Sequence, residues 1–278
     1  CEYLATARKN GQIEIWRIFT DERFSSLVTI LPGKEGKNIR SLIWQQCCSN
    51  ASSIDYRLFS CGLHGQFVDW NLRTRSPRQV ITLPCAIWSA IVHPNGKCFL
   101  LAGEDGRVRL LVPKDQNNHD SELALTAVAS VSHSKRLLDI KFSADGNRLF
   151  VSSITGEISR INIEIADGKI VKFQKEWTLN VADGSYLTNE IHSDVEFAWV
   201  LHVLNDDTVI AGTSNGHTLF VDGKFGVLES SELIHNGDVV AIASNSSQTS
   251  VYAAGIDGTV VCFQKLNDVS SWKFAVRK

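Results

Sequence analysis

No methionine occurs in the 278 residues of this sequence, no two cysteines stand in a CxxC spacing, and no apolar run approaches the length of a membrane span. A transmembrane helix needs roughly 20 consecutive apolar residues, so no such helix is encoded. No basic start leads into an apolar segment, and no secretory leader is visible. Cys1 already lies in a strand-like run. With the missing methionine, this gives the expectation of an internal piece of a longer protein.

Signatures of several chemistries are missing too. Pro32-Gly33-Lys34-Glu35-Gly36-Lys37 lacks the spacing of a phosphate loop, and no helical pattern follows it to point amide groups at a phosphate. It reads as a surface turn. No GxSxG nucleophile elbow occurs. The seven cysteines (Cys1, Cys47, Cys48, Cys61, Cys85, Cys98, Cys262) are odd in number, and several sit in apolar strand-like runs, which favours free thiols in a reducing compartment. Cys47-Cys48 has no Cys/His pair spaced to complete a tetrahedral metal site, so it reads as two thiols in a loop. Neither sign of charge dominates. The 28 basic and 30 acidic residues give a formal net charge of −2, which neither requires nor forbids a nucleic-acid partner, because local patches decide that.

What is present is a repeated pattern. The stretch AIWSAIVHPNGKCFLLAGEDGRVRLLV (86–112) holds two apolar runs, Ile87–Val92 and Cys98–Ala102, separated by Asn95-Gly96 and followed by Asp105-Gly106 and Arg107–Val112. Asn-Gly and Asp-Gly tolerate the positive φ angles of type I′ turns, so each predicts a tight hairpin. The first two strands are apolar on both faces, as in a sheet sandwiched between others. The third, with Arg107 and Arg109 alternating with Val108 and Leu110, is expected nearer solvent.

The second turn recurs at Gly11, Gly65, Gly106, Gly156, Gly216 and Gly258, at spacings of 54, 41, 50, 60 and 42 residues. These scatter upward from the roughly 40 to 45 residues of a WD-repeat blade. Inner strands are expected at 39–44, 137–142, 198–203 and 239–244, and outer strands at 25–30, 124–128 and 172–179. A short meander cannot cover both its apolar faces and must stack on neighbours, and a closed ring leaves only short protected edges. The expected fold is all-β: a WD40-type β-propeller forming one domain over residues 1–278. Six blades, or most of seven, belong to a ring whose closure lies outside this sequence. The first lacks its inner strand, and SSWKFAVRK (270–278) is an outer strand. Loops 45–57, 71–78 and 113–121 are expected on one rim, and 32–38 with 181–194 on the other.

Candidate chemistry is sparse. The histidines do not group: His64 falls in a turn, His93 and His202 end inner strands, and His235 lies between blades, which suits capping, although His202 could line a central channel. Asp105, Asp145, Asp206, Asp207 and Asp257 fall in turns, where carboxylates accept local backbone hydrogen bonds. No metal, cofactor or catalytic residue is assigned. Basic residues form small groups, Lys34, Lys37 and Arg40 towards one rim and Arg73, Arg75 and Arg78 towards the other, and Lys135-Arg136 with Lys273, Arg277 and Lys278 add two more. Beside ordinary solvated charge, they are candidates for contact with RNA phosphates or acidic partner segments, positioning without specifying.

Trp16-Arg17 and Trp70-Asn71 stand where WD repeats carry Trp-Asp, no Gly-His pair precedes the inner strands, and the polar tetrad of that family is mostly absent. The succession LATARKNGQIEIW (4–16), RLFSCGLHGQFVDWNL (57–72), IWSAIVHPNGKCFLLAGEDGRVRLL (87–111), VLHVLNDDTVIAGTSNG and VVAIASNSSQTSVYAAGIDGTVVCFQ resembles the cirhin-like WD-repeat family of the small-subunit processome. The resemblance implies the first of two tandem propellers in a nucleolar, non-enzymatic, U3-associated scaffold protein. Such a protein supports pre-ribosomal RNA transcription, early processing and small-subunit assembly. Implied partners are other WD-repeat and helical subunits of the same early-binding (t-UTP) subcomplex and the 5′ external spacer of pre-ribosomal RNA, with no membrane and no small-molecule substrate. The alternatives are a WD-repeat adaptor of another complex, such as a ubiquitin-ligase substrate receptor or a trafficking coat, and a propeller enzyme.

Overall fold

A computed structural model describes residues 3–19, 25–33, 36–49, 53–115, 121–131, 135–182, 195–265 and 272–277, and all regular structure among them is β-strand. The chain divides near Val128 into two compact units. The first contains three antiparallel sheets: β1 (Tyr3–Ala7), β2 (Ile13–Ile18) and β3 (Ser25–Leu31); then β4 (Ile39–Ser49), β5 (Ser53–Gly62), β6 (Gln66–Asn71) and β7 (Ser76–Thr82); then β8 (Ile87–Val92), β9 (Phe99–Gly103), β10 (Arg107–Pro113) and β11 (Leu123–Ser130). The second unit contains three four-stranded sheets: β12 (Leu137–Phe142), β13 (Arg148–Ser153), β14 (Glu157–Ala166) and β15 (Lys169–Asn180); β16 (Ala198–Val203), β17 (Thr208–Thr213), β18 (His217–Asp222) and β19 (Val227–Leu233); and β20 (Val239–Ser244), β21 (Ser250–Gly255), β22 (Val260–Lys265) and β23 (Trp272–Arg277). Each sheet is a meander in chain order. Among the described residues the first has three strands, without the strand that opens the others, and β23 is an outer strand, as the sequence predicts.

The apolar faces pack sheet against sheet. Phe59, Phe67 and Phe99 form one buried aromatic group between the second and third sheets, with ring centroids 4.6 to 5.5 Å apart. In the second unit Phe220 stacks on Trp272 at 5.5 Å and meets Phe263 edge-on at 5.3 Å. Burying one such side chain contributes about 2 to 3 kcal/mol, and no single sheet could bury its own.

The middle strands are the most enclosed. β9 is buried throughout, and β10 is buried from Val108 to Val112. This corrects the expectation that β10 lies near solvent: Arg109 is only 4% exposed, because β11 covers that edge and Asp105 neutralises the guanidinium. The turns are also corrected. Only Gly96 and Gly106 have positive φ, at 72° and 76°, whereas Asn95 and Asp105 do not, so neither turn is type I′. Gly96 N–H donates to His93 O, and the left-handed glycine ends the turn.

Residues 45–49 and 53–57 are strand and not loop. β4 and β5 pair from Ile39 with Gly62 to Ser49 with Ser53, with Arg40 skipped, which places Cys47 and Cys48 in a strand. The polar run is held there because the buried Gln45 amide donates to the carbonyl of Gly96 in the next sheet, at 2.5 Å, and Trp44 packs edge-on against Tyr56 at 6.1 Å. Residues 116–120 and 183–194, within two other expected loops, lie outside the described residues.

Bulges recur at matching positions. In the first strand of five sheets one residue is skipped in the ladder: Arg40, Trp88, Leu138, Trp199 and Val240. In the outer strands the skipped residues include Val28, Arg78, Glu176, Glu229 and Ala275. A bulge re-aims the side chain it carries.

Three crossovers share one device. The N–H groups of Leu83, Val181 and His235 donate to the carbonyls of Gly65, Gly156 and Gly216. These glycines have positive φ, and a Cβ added to them would meet the carbonyl oxygens of Cys85, Glu196 and His235 at 2.8, 2.5 and 2.1 Å. The side chains of the last three residues then reach the next hairpin turn. Cys85 Sγ lies 3.6 Å from Asp105 Oδ1, Glu196 Oε1 is 3.0 Å from His217 Nδ1, and His235 Nδ1 is 3.2 Å from Asp257 Oδ1.

Candidate functional site

Several histidines and turn carboxylates are engaged in structure. His202 Nε2 lies 2.9 Å from Ser244 Oγ, tying β16 to β20, and burial pushes its pKa down. Asp145, Asp206 and Asp257 accept the local N–H bonds of Asn147, Thr208 and Thr259, as expected of turn carboxylates. Asp207 departs from that pattern, pairing with Arg148 of the neighbouring sheet. Trp70, in the place of a Trp-Asp dipeptide, donates from Nε1 to Ser60 Oγ at 2.8 Å. Part of a polar tetrad thus persists within the second sheet.

The basic groups named from sequence behave differently from one another. Lys34 lies outside the described residues. Lys37 Nζ donates to Gln66 Oε1 at 2.7 Å. Arg40, carried outward by its bulge, sits 5.1 Å from the Trp88 ring centroid, and Trp88 Nε1 donates to Glu104. Arg78, also at a bulge, turns towards Asp69, with Nε 3.9 Å from Oδ2, and that buried carboxylate also pairs with Arg57. Arg73 and Arg75 remain. They stand on the β6–β7 turn, exposed, and neither makes an ion pair with a described residue.

These two arginines share a groove of about 420 Å³ between the first two sheets. Tyr3, Trp44 and Tyr56 form its aromatic wall, with Tyr56 6.4 Å from Tyr3 and 6.1 Å from Trp44, both edge-on. Ile15, Val28 and Leu72 supply aliphatic surface, and among the described residues no carboxylate lines it. The β3 bulge places Val28, which is 50% exposed, at the groove. Lys37 lies at the other end of the same sheets, beside the β5–β6 turn, so the two basic groups occupy opposite rims of this unit.

Of the residues named from sequence, the structure therefore brings Arg73 and Arg75 to one site and turns Arg78 away from it. The apolar wall was missed because Trp44 read as the end of a strand and Tyr56 as part of a loop. Both become neighbours only through the register of the long β4–β5 hairpin. The crowding of Trp44 and Tyr56 about a polar run was the available signal.

No family model matches the chain. It is 26% identical to the U3 small nucleolar RNA-associated protein 4 homolog of Homo sapiens over 94% of this chain. It is 24% identical to U3 small nucleolar RNA-associated protein 4 of Schizosaccharomyces pombe over 97%. A WD repeat-containing protein 91 homolog of Dictyostelium discoideum is 24% identical over 90%. The chain spans about a third of the length of the first two, 34% and 35%. Among solved structures, the β-propeller domain of Myceliophteria thermophila Cps50 (Swd1) superposes with a TM-score of 0.65 and 16% identity, covering 100% of this chain and 82% of that one. With the meander sheets described above, that likeness establishes the fold of the chain as a WD40-type β-propeller.

Proposed function

We propose that the chain is a propeller region of a non-catalytic scaffold subunit of the small-subunit processome, acting in the nucleolus in pre-ribosomal RNA transcription, early processing and small-subunit assembly. The observation that carries this reading is the match along 94 to 97% of the chain to proteins named for their association with U3 small nucleolar RNA. Fold alone would not suffice, since propellers host many functions. In this reading residues 1–278 are a single propeller domain, the first of two in the whole protein. Its rims hold other WD-repeat and helical subunits of the same subcomplex. The basic residues Lys34, Lys37, Arg40, Arg73, Arg75 and Arg78 supply contacts to partners, including the 5′ external spacer.

The geometry is consistent with holding rather than catalysis. Several polar pairs join neighbouring sheets, as with Arg148–Asp207 and His202–Ser244, and rigidify the scaffold. The test is depletion of the full-length protein followed by analysis of pre-ribosomal RNA. Accumulated unprocessed 5′ spacer with reduced small-subunit RNA is expected, and normal processing overturns the proposal. The match to the WD repeat-containing protein 91 homolog favours a second reading, an adaptor in another complex. Cytoplasmic location of the full-length protein, without nucleolar signal, would select it.

A further inference from the structure

We infer that the groove between the first two sheets docks an acidic protein segment, which seats one apolar side chain in the cleft and offers flanking carboxylates to Arg73 and Arg75. The inference rests on the scaffold reading above and names the chemistry of one partner site within it. Three features of the groove point to this occupant.

The first is the lining. Ile15, Val28 and Leu72 face the aromatic wall of Tyr3, Trp44 and Tyr56, so the cleft is shaped by aliphatic and aromatic surface together, which suits an inserted leucine or phenylalanine side chain. A nucleobase platform needs open ring faces for stacking. Here Tyr56 packs edge-on, at 62° and 79°, to Tyr3 and Trp44, so the three rings do not present parallel faces in a row.

The second is charge. Arg73 and Arg75, both exposed, line the groove, and none of its described lining residues is a carboxylate. Arg78, the third arginine of the cluster, already faces Asp69. Positive charge with no described carboxylate beside it therefore stands at the groove, in a chain whose overall balance is slightly negative.

The third is backbone conformation. Arg75 has φ of 56°, a left-handed conformation unfavourable for a residue with a Cβ. The β18–β19 turn is built the same way: Asn71 Oδ1 accepts the N–H groups of Arg73 and Thr74, and Asp222 Oδ1 accepts those of Lys224 and Phe225. In that turn the position matching Arg75 is Gly226, with φ of 71°. A strained arginine where the sister turn uses glycine directs attention to what its side chain does.

The strain also supplies the test. Arg75→Gly relieves it, so this variant is expected to keep or raise the melting temperature while weakening docking, which separates binding from folding. The probe is a fluorescein-labelled synthetic peptide of aspartate and glutamate around a central leucine–phenylalanine pair, titrated with the chain and followed by anisotropy. Arg75→Gly is expected to weaken binding about fivefold, the scale of one exposed ion pair. Val28→Asp, at an exposed position, is expected to weaken it about tenfold or more, because it places a carboxylate in the cleft. The same peptide with serine replacing leucine and phenylalanine should bind no better than Val28→Asp binds the original. Binding unchanged by both variants, or no saturable binding, overturns the inference. So does an oligouridylate of equal length that binds more tightly and loses affinity through the same two variants, since that would mark a nucleic-acid surface. The assay uses the purified chain, so a negative result leaves the RNA-processing phenotype of depletion standing and removes only the groove assignment.

Discussion

Arg109 and Asp105 form a two-pronged ion pair across a single hairpin turn, Nη1 to Oδ1 at 2.9 Å and Nη2 to Oδ2 at 2.6 Å. The guanidinium is almost wholly enclosed while the carboxylate keeps partial contact with solvent. Cys85, from the preceding crossover, reaches the same carboxylate. One turn, one middle strand and one connection between sheets are therefore joined at Asp105.

Asp105→Ala would leave the Arg109 charge buried without its partner, and removing one member of such a pair costs more than the pair contributes. A loss of about 2 kcal/mol in urea unfolding is expected, discounted for the partial exposure of the carboxylate. The double variant Asp105→Ala/Arg109→Met should recover part of it. A single variant as stable as the parent contradicts this account of the turn.

Acid sensitivity follows from the same carboxylate and from Asp257. The Arg109 guanidinium holds the pKa of Asp105 below its ordinary value, and the N–H of Asn236, with further bonds from Thr259, does the same for Asp257. A depressed folded-state pKa contributes stability that is fully present above the unfolded value, about 4. That contribution is lost as pH falls through the folded-state value. Melting temperature should therefore drop steeply below about pH 4, and less steeply in Asp257→Asn. Identical acid limbs for parent and variant would remove Asp257 from the explanation.

Gly216→Ala tests the crossover device. The added methyl would stand 2.1 Å from the His235 carbonyl oxygen at a residue whose φ is 89°. Both the clash and the left-handed backbone oppose it, and a destabilisation of about 2 kcal/mol or more is expected in denaturant titration. Gly258→Ala is the control: it has a similar φ of 76° but nothing within 4 Å of the added Cβ, so it should cost less.

The thiols offer a chemical test of the packing. Burial pushes the pKa of both Cys61 and Cys98 up to about 12, and the thiolate is the reactive form. Alkylation of the folded chain at mildly alkaline pH, mapped by mass spectrometry, should leave both unlabelled and should label both after unfolding. Rapid native labelling at Cys61 would show that the second sheet is more open than described.

The hairpin cores were readable in the sequence because Asp-Gly and Asn-Gly pairs punctuate runs of apolar residues. The inner strands 137–142, 198–203 and 239–244 coincide with β12, β16 and β20. What was not readable depended on register. The bulges at Arg40, Trp88 and Val28 leave the apolar pattern intact, so the altered direction of those side chains carries no compositional mark. Arg109 alternates like a solvent-facing residue and is buried because a carboxylate four positions earlier folds back onto it. The groove draws Tyr3, Val28, Tyr56 and Arg75 from four elements, a convergence that only the sheet pairing reveals.

The most direct measurement is the recovery of U3 small nucleolar RNA with the tagged full-length protein, quantified against an unrelated small nucleolar RNA from the same preparation. The account predicts strong, selective enrichment of U3, together with other small-subunit assembly proteins. Recovery of U3 no greater than that of the unrelated RNA, with a stable set of cytoplasmic partners in its place, would contradict it.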